Sequence, residues 1–297
     1  MSSEPRQKMT AFTIVPRGPF SLHEAAIFGF GQREAAEWDG VLRMAFCLDD
    51  LSSQVGVAVR QDQDGVHCSV SGSSSTPQVR SQVARVLSLA DDATDFAAIG
   101  QRDPVIARLQ SAAPGLRPPL FYSAYEAAAW VVLSSRRPRL QMAELRRRLS
   151  EAHGTSFDVA GQQVAALPTP RDLLSVHTFP GITPVKLERL HGVAKAALSG
   201  WLDTDRIRSA DPTKAMADLQ RIPGIGPFYS ALIVIRAVGV RDVLPLDEPR
   251  VRELARRLYG LPSVPTVQEF EALAESWRPW RTWAVVLMRA AADRVLG

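Results

Sequence analysis

A glycine-rich corner and a pair of adjacent carboxylates are the parts of this 297-residue sequence best suited to chemistry. The corner is the run Pro-Gly-Ile-Gly-Pro at residues 223–227, and the pair is Asp247 and Glu248. Two glycines let the backbone approach a ligand closely, and Pro227 is pre-organised for the first turn of a helix. Amide groups at a helix start favour an anion such as a phosphate. The corner therefore indicates an anion-holding site, and the carboxylates indicate a candidate reaction centre.

Helices must flank this corner if it is to hold a ligand. Apolar Leu219 and Ile222 predict the end of one helix, and the apolar run 228–238 predicts the next, which Gly239 ends. A short apolar segment then leads to the carboxylates and to a basic amphipathic helix at 251–258. An ordinary corner between two helices is the alternative interpretation of the glycines.

The first third of the chain has a different pattern from the rest. Short β-branched segments between Asp-, Gly- and Ser-rich turns predict an antiparallel sheet, flanked by helices at 22–28 and 77–88. The expected strands are 41–48, 54–59 and 66–70. Beyond about Asp91 strand signals vanish and helical periodicity takes over. The helices expected there are 104–111, 125–133, 142–153, 169–175, 184–199, 212–221, 227–238, 250–259, 266–276 and 279–296.

These patterns predict an α+β protein that is mainly α. We expect a disordered N-terminus at 1–10 and a small antiparallel β/α domain at 11–95. A two-lobed all-α domain is expected at 96–297, with a helix-hairpin-helix at 213–238.

Composition narrows the function classes. With 46% hydrophobic and 22% charged residues the chain can bury cores, and its net charge of +4 means that a nucleic-acid surface must come from clustered arginines. Such clusters occur at 136–139, 146–148 and 250–257, although solvated helix faces explain many of these residues. The two cysteines, Cys47 and Cys68, do not form a zinc motif. We expect a reduced, soluble, cytoplasmic protein without a leader, a membrane span or a catalytic metal.

The corner and carboxylates, together with the stretch 103–119 and the C-terminal segment 277–284, resemble the helix-hairpin-helix DNA glycosylases. The 3-methyladenine DNA glycosylase II (AlkA-like) family is the most similar, and the resemblance runs from about Phe12 to the C-terminus. It implies a base excision repair enzyme that hydrolyses the N-glycosidic bond of a damaged, alkylated base flipped out of duplex DNA.

The resemblance implies one catalytic carboxylate, which would stabilise an oxocarbenium-like sugar and orient the attacking water. Counting without gaps from Gly226 places it on Glu248, whereas residue type favours Asp247, one position earlier. The choice between the two stays open. A helix N-cap is the alternative role for either residue.

Further site residues follow from the resemblance. Backbone around Ile222, Gly224, Ile225 and Gly226 would hold a DNA strand, with an alkali cation at the hairpin as in relatives and no other cofactor. The turn 134–138 would supply the wedge that fills the gap left by the flipped base. Arg136 and Arg137 are the candidates there, and surface arginines at a helix end are the alternative.

Four residues are expected to line the base pocket: Phe228, Tyr229, Leu232 and Arg289. Phe228 occupies the position at which related lyases carry a Schiff-base lysine, so no lyase activity is expected. A core position is the alternative for Phe228. Arg289 would repel a cationic base, so either the target is neutral or the pocket is built differently.

The sequence thus predicts a monomeric, monofunctional DNA glycosylase that acts on double-stranded DNA containing damaged bases, in association with the nucleoid. A catalytically weak or inactive DNA-binding, lesion-sensing relative is the alternative, because the wedge turn and the pocket aromatics depart from the family pattern. The excised lesion is not fixed by the sequence, since the pocket is built from several helices.

Overall fold

The protein is described by a computed structural model at residues 10–28, 38–72, 74–135, 138–246 and 248–297. The fold is mixed α and β, with a small antiparallel sheet near the start and helices through most of the rest, which confirms the expected class. The strands are β1 (Thr10–Ile14), β2 (Leu42–Cys47), β3 (Gln54–Asp62), β4 (Gly65–Ser71), β5 (Ser156–Val159) and β6 (Gln162–Ala165).

Helices α1 to α7 span Leu22–Ile27, Thr76–Val86, Thr94–Ala97, Pro104–Ala112, Ala124–Ser134, Arg139–His153 and Pro170–Leu174. Helices α8 to α14 span Pro184–Leu198, Thr204–Ser209, Pro212–Leu219, Pro227–Arg236, Pro249–Tyr259, Val267–Leu273 and Arg281–Leu296. Two 3₁₀ turns cover Ala98–Gln101 and Ala274–Trp277. None of the helices in the described part of the chain has the length and hydrophobicity needed to cross a bilayer.

Strands β1 to β4 form one antiparallel sheet in the order β1-β4-β3-β2. Alternate residues such as Met44, Val57 and Cys68 point to one face and pack against α2. Strand β1 was not predicted, and Thr10, expected in a disordered end, pairs with Val70. Residues 1–9 lie outside the described ranges.

The expectation of an all-α region after residue 96 is wrong, because β5 and β6 form a hairpin within it. The turn between them has φ of 50° at Ala160 and 79° at Gly161, as a two-residue hairpin turn requires. Alternating Phe157 and Val159 cover the opposite face of the first sheet, over Ala45 and Ala58. The hairpin therefore completes the sheet region that the sequence assigned to residues 11–95.

The helices build two separate hydrophobic cores. We call the first helical core the cluster around α5, α8 and α11, which includes Tyr125, Leu190 and Ile233. We call the second helical core the cluster around α4, α12 and α14, which includes Phe270 and Trp277. The chain passes from the first core to the second through the loop after α11, so residues on that loop lie where both cores meet.

Each long helix expected after residue 103 is present within a few residues of its predicted bounds. Helix starts fit the sequence signals, since Asp103, Thr169 and Thr183 accept hydrogen bonds from first-turn amides. The short helices α3 and α9 were not predicted, because one or two turns carry too few residues for a periodic signal.

Candidate active site

The corner joins α10 to α11 as a compact hairpin. The amide of Ile222 donates to Leu219 O over 3.0 Å, and the amide of Ile225 donates to Ile222 O over 3.0 Å. Both isoleucines are buried in the first helical core, whereas Gly224 is exposed and has a φ of +96°. Gly226 is the N-cap of α11, whose first amides have no acceptor within the helix. The isoleucines therefore anchor the corner while its glycine backbone stays accessible to an anion.

Basic side chains lie beside this corner, although the sequence analysis did not identify them. Arg189 of α8 is exposed, and its side chain lies against Gly224. A Cβ on Gly224 would lie only 3.1 Å from the Cδ of Arg189. The guanidinium of Arg221 lies 4.8 Å from the centre of the Trp201 ring. Both arginines are isolated in the sequence, so they leave no charge run. Only their placement around the hairpin brings them together.

Several of the clustered arginines, by contrast, are held in ion pairs. Arg146 donates to the buried carboxylate of Glu126 over 2.8 Å. Arg147 pairs with Glu144 and Glu151 on its own helix. Arg146 therefore has a structural role, and Arg147 belongs to a solvated helix face. Arg136 and Arg137, the candidate wedge residues, lie outside the described residues.

The turn that leads to the wedge positions is fixed at its described end. Lys186 of α8 donates to Leu133 O over 2.7 Å and to Ser135 O over 2.9 Å, at the C-terminus of α5. These contacts place a cation where the carbonyl end of a helix favours one. No local pattern marks this lysine, because its partners lie on a helix far away along the chain.

The loop segment 242–246, which precedes Glu248, is clamped to α14. Thr282 donates through Oγ1 to Val243 O over 2.8 Å and accepts from the Val243 amide over 3.0 Å. Arg281 and Arg278 both bind the carboxylate of Asp242 over 2.6 Å. The amide of Glu248 then donates to Pro245 O over 3.1 Å. This network fixes the backbone leading to Glu248 before α12 begins.

Glu248 is the N-cap residue of α12, but its side chain does not cap the helix. The carboxylate instead faces a cavity, where it is 9% exposed and accepts from Arg289 Nη1 over 3.4 Å. That contact is longer than the roughly 2.7–2.9 Å of a strong charge-assisted hydrogen bond. Asp247 lies outside the described residues.

The cavity has a volume of about 360 Å³ and lies where the two helical cores meet. Its walls are mainly apolar, from α11 on one side and from α14 and the 243–246 segment on the other. The lining residues are Phe28, Met216, Phe228, Ala231, Leu232, Ile235, Arg236, Val243, Leu244, Pro245, Leu246, Glu248, Arg250, Thr282, Val285, Val286 and Arg289. A space of this size and character suits a small ligand.

Three of the four expected pocket residues line this cavity with Glu248: Phe228, Leu232 and Arg289. Phe228 is 45% exposed, so the core alternative for it is wrong. Tyr229 does not line the cavity; it packs against the first helical core and contacts the Phe228 ring edge-on. Tyr229 is one residue further along α11 than Phe228, and its side chain turns toward that core instead of the cavity.

The two cysteines provide no alternative reaction centre. Cys47 and Cys68 are both buried and free. Burial raises the pKa of the Cys68 thiol to about 12, and burial raises that of Cys47 further. Both therefore stay protonated near neutral pH, so neither is an activated nucleophile.

Fold and site together define a helix-hairpin-helix protein with a carboxylate at a mainly apolar cavity. No protein-family model matches the chain. It is 24% identical over 204 residues to the DNA-3-methyladenine glycosylase of Bacillus subtilis (strain 168), covering 66% of each protein. It is 28% identical over 185 residues to DNA-3-methyladenine glycosylase 2 of Escherichia coli (strain K12), covering 61% of this chain and 62% of that protein. The chain thus matches less than two thirds of either relative's length.

The fold is similar to that of the 3-methyladenine DNA-glycosylase from Archaeoglobus fulgidus, with a TM-score of 0.76 and 18% identity. That likeness covers 96% of this chain and 98% of the solved one. The chain is thus similar in sequence to two DNA-3-methyladenine glycosylases, and its fold is similar to that of a third protein of this name.

Proposed function

We propose that this protein is a monofunctional DNA glycosylase that hydrolyses the N-glycosidic bond of a damaged, alkylated base flipped out of duplex DNA. The observation that carries the proposal is Glu248, a mostly buried carboxylate facing an apolar cavity beside the helix that begins at the hairpin. The names of the curated relatives support the same reaction.

The hairpin would hold the DNA strand. The exposed backbone at Gly224 and the start of α11 suit a phosphate, and Arg189 adds a cation at the same place. Contacts to phosphates do not depend on the DNA sequence, and an enzyme that searches for damage must bind any sequence. An alkali cation at the hairpin would be bound mainly by backbone carbonyls, because residues 219–226 carry no acidic or hydroxyl side chain.

The two helical cores are proposed to act as two lobes on either side of the cleft that receives the flipped nucleotide. The cavity draws its lining from α11 of one core and α14 of the other, which supports this division. DNA held at the corner would then present its extruded nucleotide to the space between the lobes.

In the proposed reaction, Glu248 stabilises the positive charge that builds on the deoxyribose as the bond to the base breaks. The same carboxylate accepts a proton from the water that attacks C1′, and the electron pair of the broken bond leaves with the base. Phe228 stands where a lyase would need an amine, and this supports hydrolysis without strand cleavage.

The proposal is tested with a panel of duplexes that each carry one modified base, with alkaline cleavage reporting abasic sites. We expect the parent protein to release at least one alkylated base under single-turnover conditions. Glu248→Gln should lower that rate by about 10²–10⁴-fold, because the uncharged amide neither stabilises the cation nor accepts the proton. Asp247→Asn should have a smaller effect.

Two results would redirect the assignment. If Asp247→Asn abolishes release while Glu248→Gln does not, the reaction depends on Asp247. If the parent protein binds damaged duplexes but releases no base, while a known glycosylase does so in parallel, the lesion-sensing alternative replaces the enzyme.

A further inference from the structure

The charges that line the cavity are unusual for a pocket meant to receive a cation. Among the described lining residues, Glu248 is the only acid, whereas Arg236, Arg250 and Arg289 are basic. The remaining lining side chains are apolar apart from Thr282. Burying a cationic base here would place positive charge against positive charge in a poorly solvated space.

Arg289 is the arginine best placed to contact a bound base. It lies on α14, is 43% exposed, and makes one long contact with Glu248 at 3.4 Å. Since a guanidinium has five N–H donors, this contact leaves most of its donor capacity for a ligand. A planar base in the cavity between Leu232 and Val286 would lie within the space that Arg289 borders.

The leaving group decides what such an arginine can do. A cationic methylated purine leaves as a neutral molecule, so a nearby guanidinium gives no help and repels the bound state. A neutral base leaves with the electron pair of the broken bond and develops negative charge. A preorganised N–H donor stabilises that charge in the transition state more than in the bound state.

Building on the proposed function, we propose that Arg289 directs this enzyme to uncharged modified bases that carry a hydrogen-bond acceptor, in preference to cationic N3- or N7-methylpurines. Arg289 donates a hydrogen bond to the departing base and keeps its own proton. Glu248 takes the proton of the attacking water, and the released base is protonated by solvent. The departing base thus has a hydrogen-bond donor in Arg289, and the attacking water has a proton acceptor in Glu248.

The test measures single-turnover excision from matched duplexes that differ only in the target base. Hypoxanthine and 1,N⁶-ethenoadenine serve as neutral bases, and 3-methyladenine and 7-methylguanine as cationic ones. We expect the parent protein to release a neutral base faster. Arg289→Leu should lower the maximal rate for neutral bases by about 10²–10³-fold, with duplex affinity nearly unchanged and cationic bases equally or more readily released.

Two further variants separate a role in the pocket from a structural one. Arg289→Lys keeps the positive charge and a donor, so it should retain more neutral-base release than Arg289→Leu. Arg108→Leu makes the same replacement at an exposed position of α4 outside the cavity lining and should leave both classes unchanged. Circular dichroism of each variant checks that the fold is kept.

Faster release of cationic bases by the parent protein would overturn the inference and leave the proposed function standing. An equal loss for both classes in Arg289→Leu would do the same. Release of no base from any duplex would overturn the proposed function itself, and the inference with it.

Discussion

The Glu126–Arg146 pair shows how single residues join distant parts of this chain. Glu126 accepts from the Cys47 amide over 3.2 Å and from Arg146 Nη2 over 2.8 Å, and all three residues are buried. Burial raises the pKa of Glu126 above its usual value of 4.5, and the charge of Arg146 opposes that shift. The pair therefore links β2, α5 and α6 through one desolvated carboxylate.

Replacing Arg146 should destabilise the protein, because the buried carboxylate of Glu126 would lose its ion-pair partner. We expect Arg146→Met to lower the free energy of unfolding by about 3–5 kcal/mol at pH 7, because Glu126 is left without its cation. The loss should be smaller near pH 4. Burial raises the pKa of Glu126 in the folded protein above the 4.5 of the unfolded chain. The contribution of Glu126 to stability is therefore fully present below pH 4.5, and it is lost as the pH rises through the raised pKa. Urea unfolding at both pH values measures the difference.

The neighbouring surface arginine provides the control for this experiment. Arg147→Met removes exposed pairs on the same helix and should change stability little at either pH. An equal loss in Arg146→Met at pH 4 and pH 7 would show that packing, and not charge, explains the effect.

At the residue scale the sequence could predict much of the cavity but not its details. Four of the predicted site residues line the cavity together: Phe228, Leu232, Arg289 and Glu248. The hairpin motif predicts where α11 begins, and the family resemblance predicts which residue of α14 lies near it. Tyr229 was placed wrongly because helical direction, not neighbourhood in sequence, decides which side chain faces the cavity. Arg189 was missed because no local pattern marks a contact between α8 and the corner.

At the scale of elements, the hairpin corner depends on one glycine more than on the other. Gly224 has a φ of +96°, whereas Gly226 has a φ of −94° and open space where a Cβ would lie. A side chain at Gly224 would be strained and would also press on Arg189. The two glycines therefore form a matched pair for substitution.

We expect Gly224→Ala to weaken binding to an undamaged duplex, because left-handed backbone costs an L-residue about 1–2 kcal/mol and the corner would shift to relieve it. Gly226→Ala should bind more nearly like the parent protein. Fluorescence anisotropy with a labelled duplex at fixed salt measures both. Weaker binding by Gly226→Ala than by Gly224→Ala would contradict the importance of the left-handed corner.

Arg189 should contribute to DNA binding through charge alone. Arg189→Ala is expected to weaken binding to damaged and undamaged duplexes alike and to reduce the salt dependence of log Kd by about one unit, as loss of one phosphate contact does. Anisotropy titrations between low and moderate salt give this slope. An unchanged slope would show that Arg189 does not reach the backbone.

The β5–β6 hairpin was not predicted, although a signal for it is present in the sequence. Phe157 and Val159 alternate with polar residues, and Gly161 follows at the second position of the turn. The strands are only four residues long and stand between long helices, so helical periodicity dominated that stretch. Gly56 is the matching signal in β3, because a side chain there would meet Phe157 Cβ at 2.6 Å.

At the scale of the whole molecule, the sheet region and the helical region are joined by many specific contacts. Arg117 donates to the carbonyls of Arg17, Gly18, Pro19, Ser88 and Asp91. Arg85 of α2 donates to Ala237 O over 2.8 Å, just after α11. The sheet is therefore tied to the helix that begins at the hairpin. The boundary near residue 95 stays an interpretation of the sequence pattern.

These contacts lead us to expect one cooperative unfolding transition for the whole chain. Phe157→Ala should lower stability by about 3–5 kcal/mol, since a large buried aromatic side chain is removed from between the hairpin and the sheet. Calorimetry should show a single transition at a lower midpoint. The appearance of two transitions in the parent protein would mean that the sheet and helical regions unfold independently.

Strands β5 and β6 are synthesised long after the four strands that they cover, so the order of biosynthesis matters for this fold. The ribosome releases β1 to β4 first, but the face bearing Ala45 and Ala58 gains its cover only once residues 156–165 have emerged. A nascent chain paused before that point carries an incomplete sheet with an uncovered apolar side. Chaperone binding during translation should therefore be greatest in that interval.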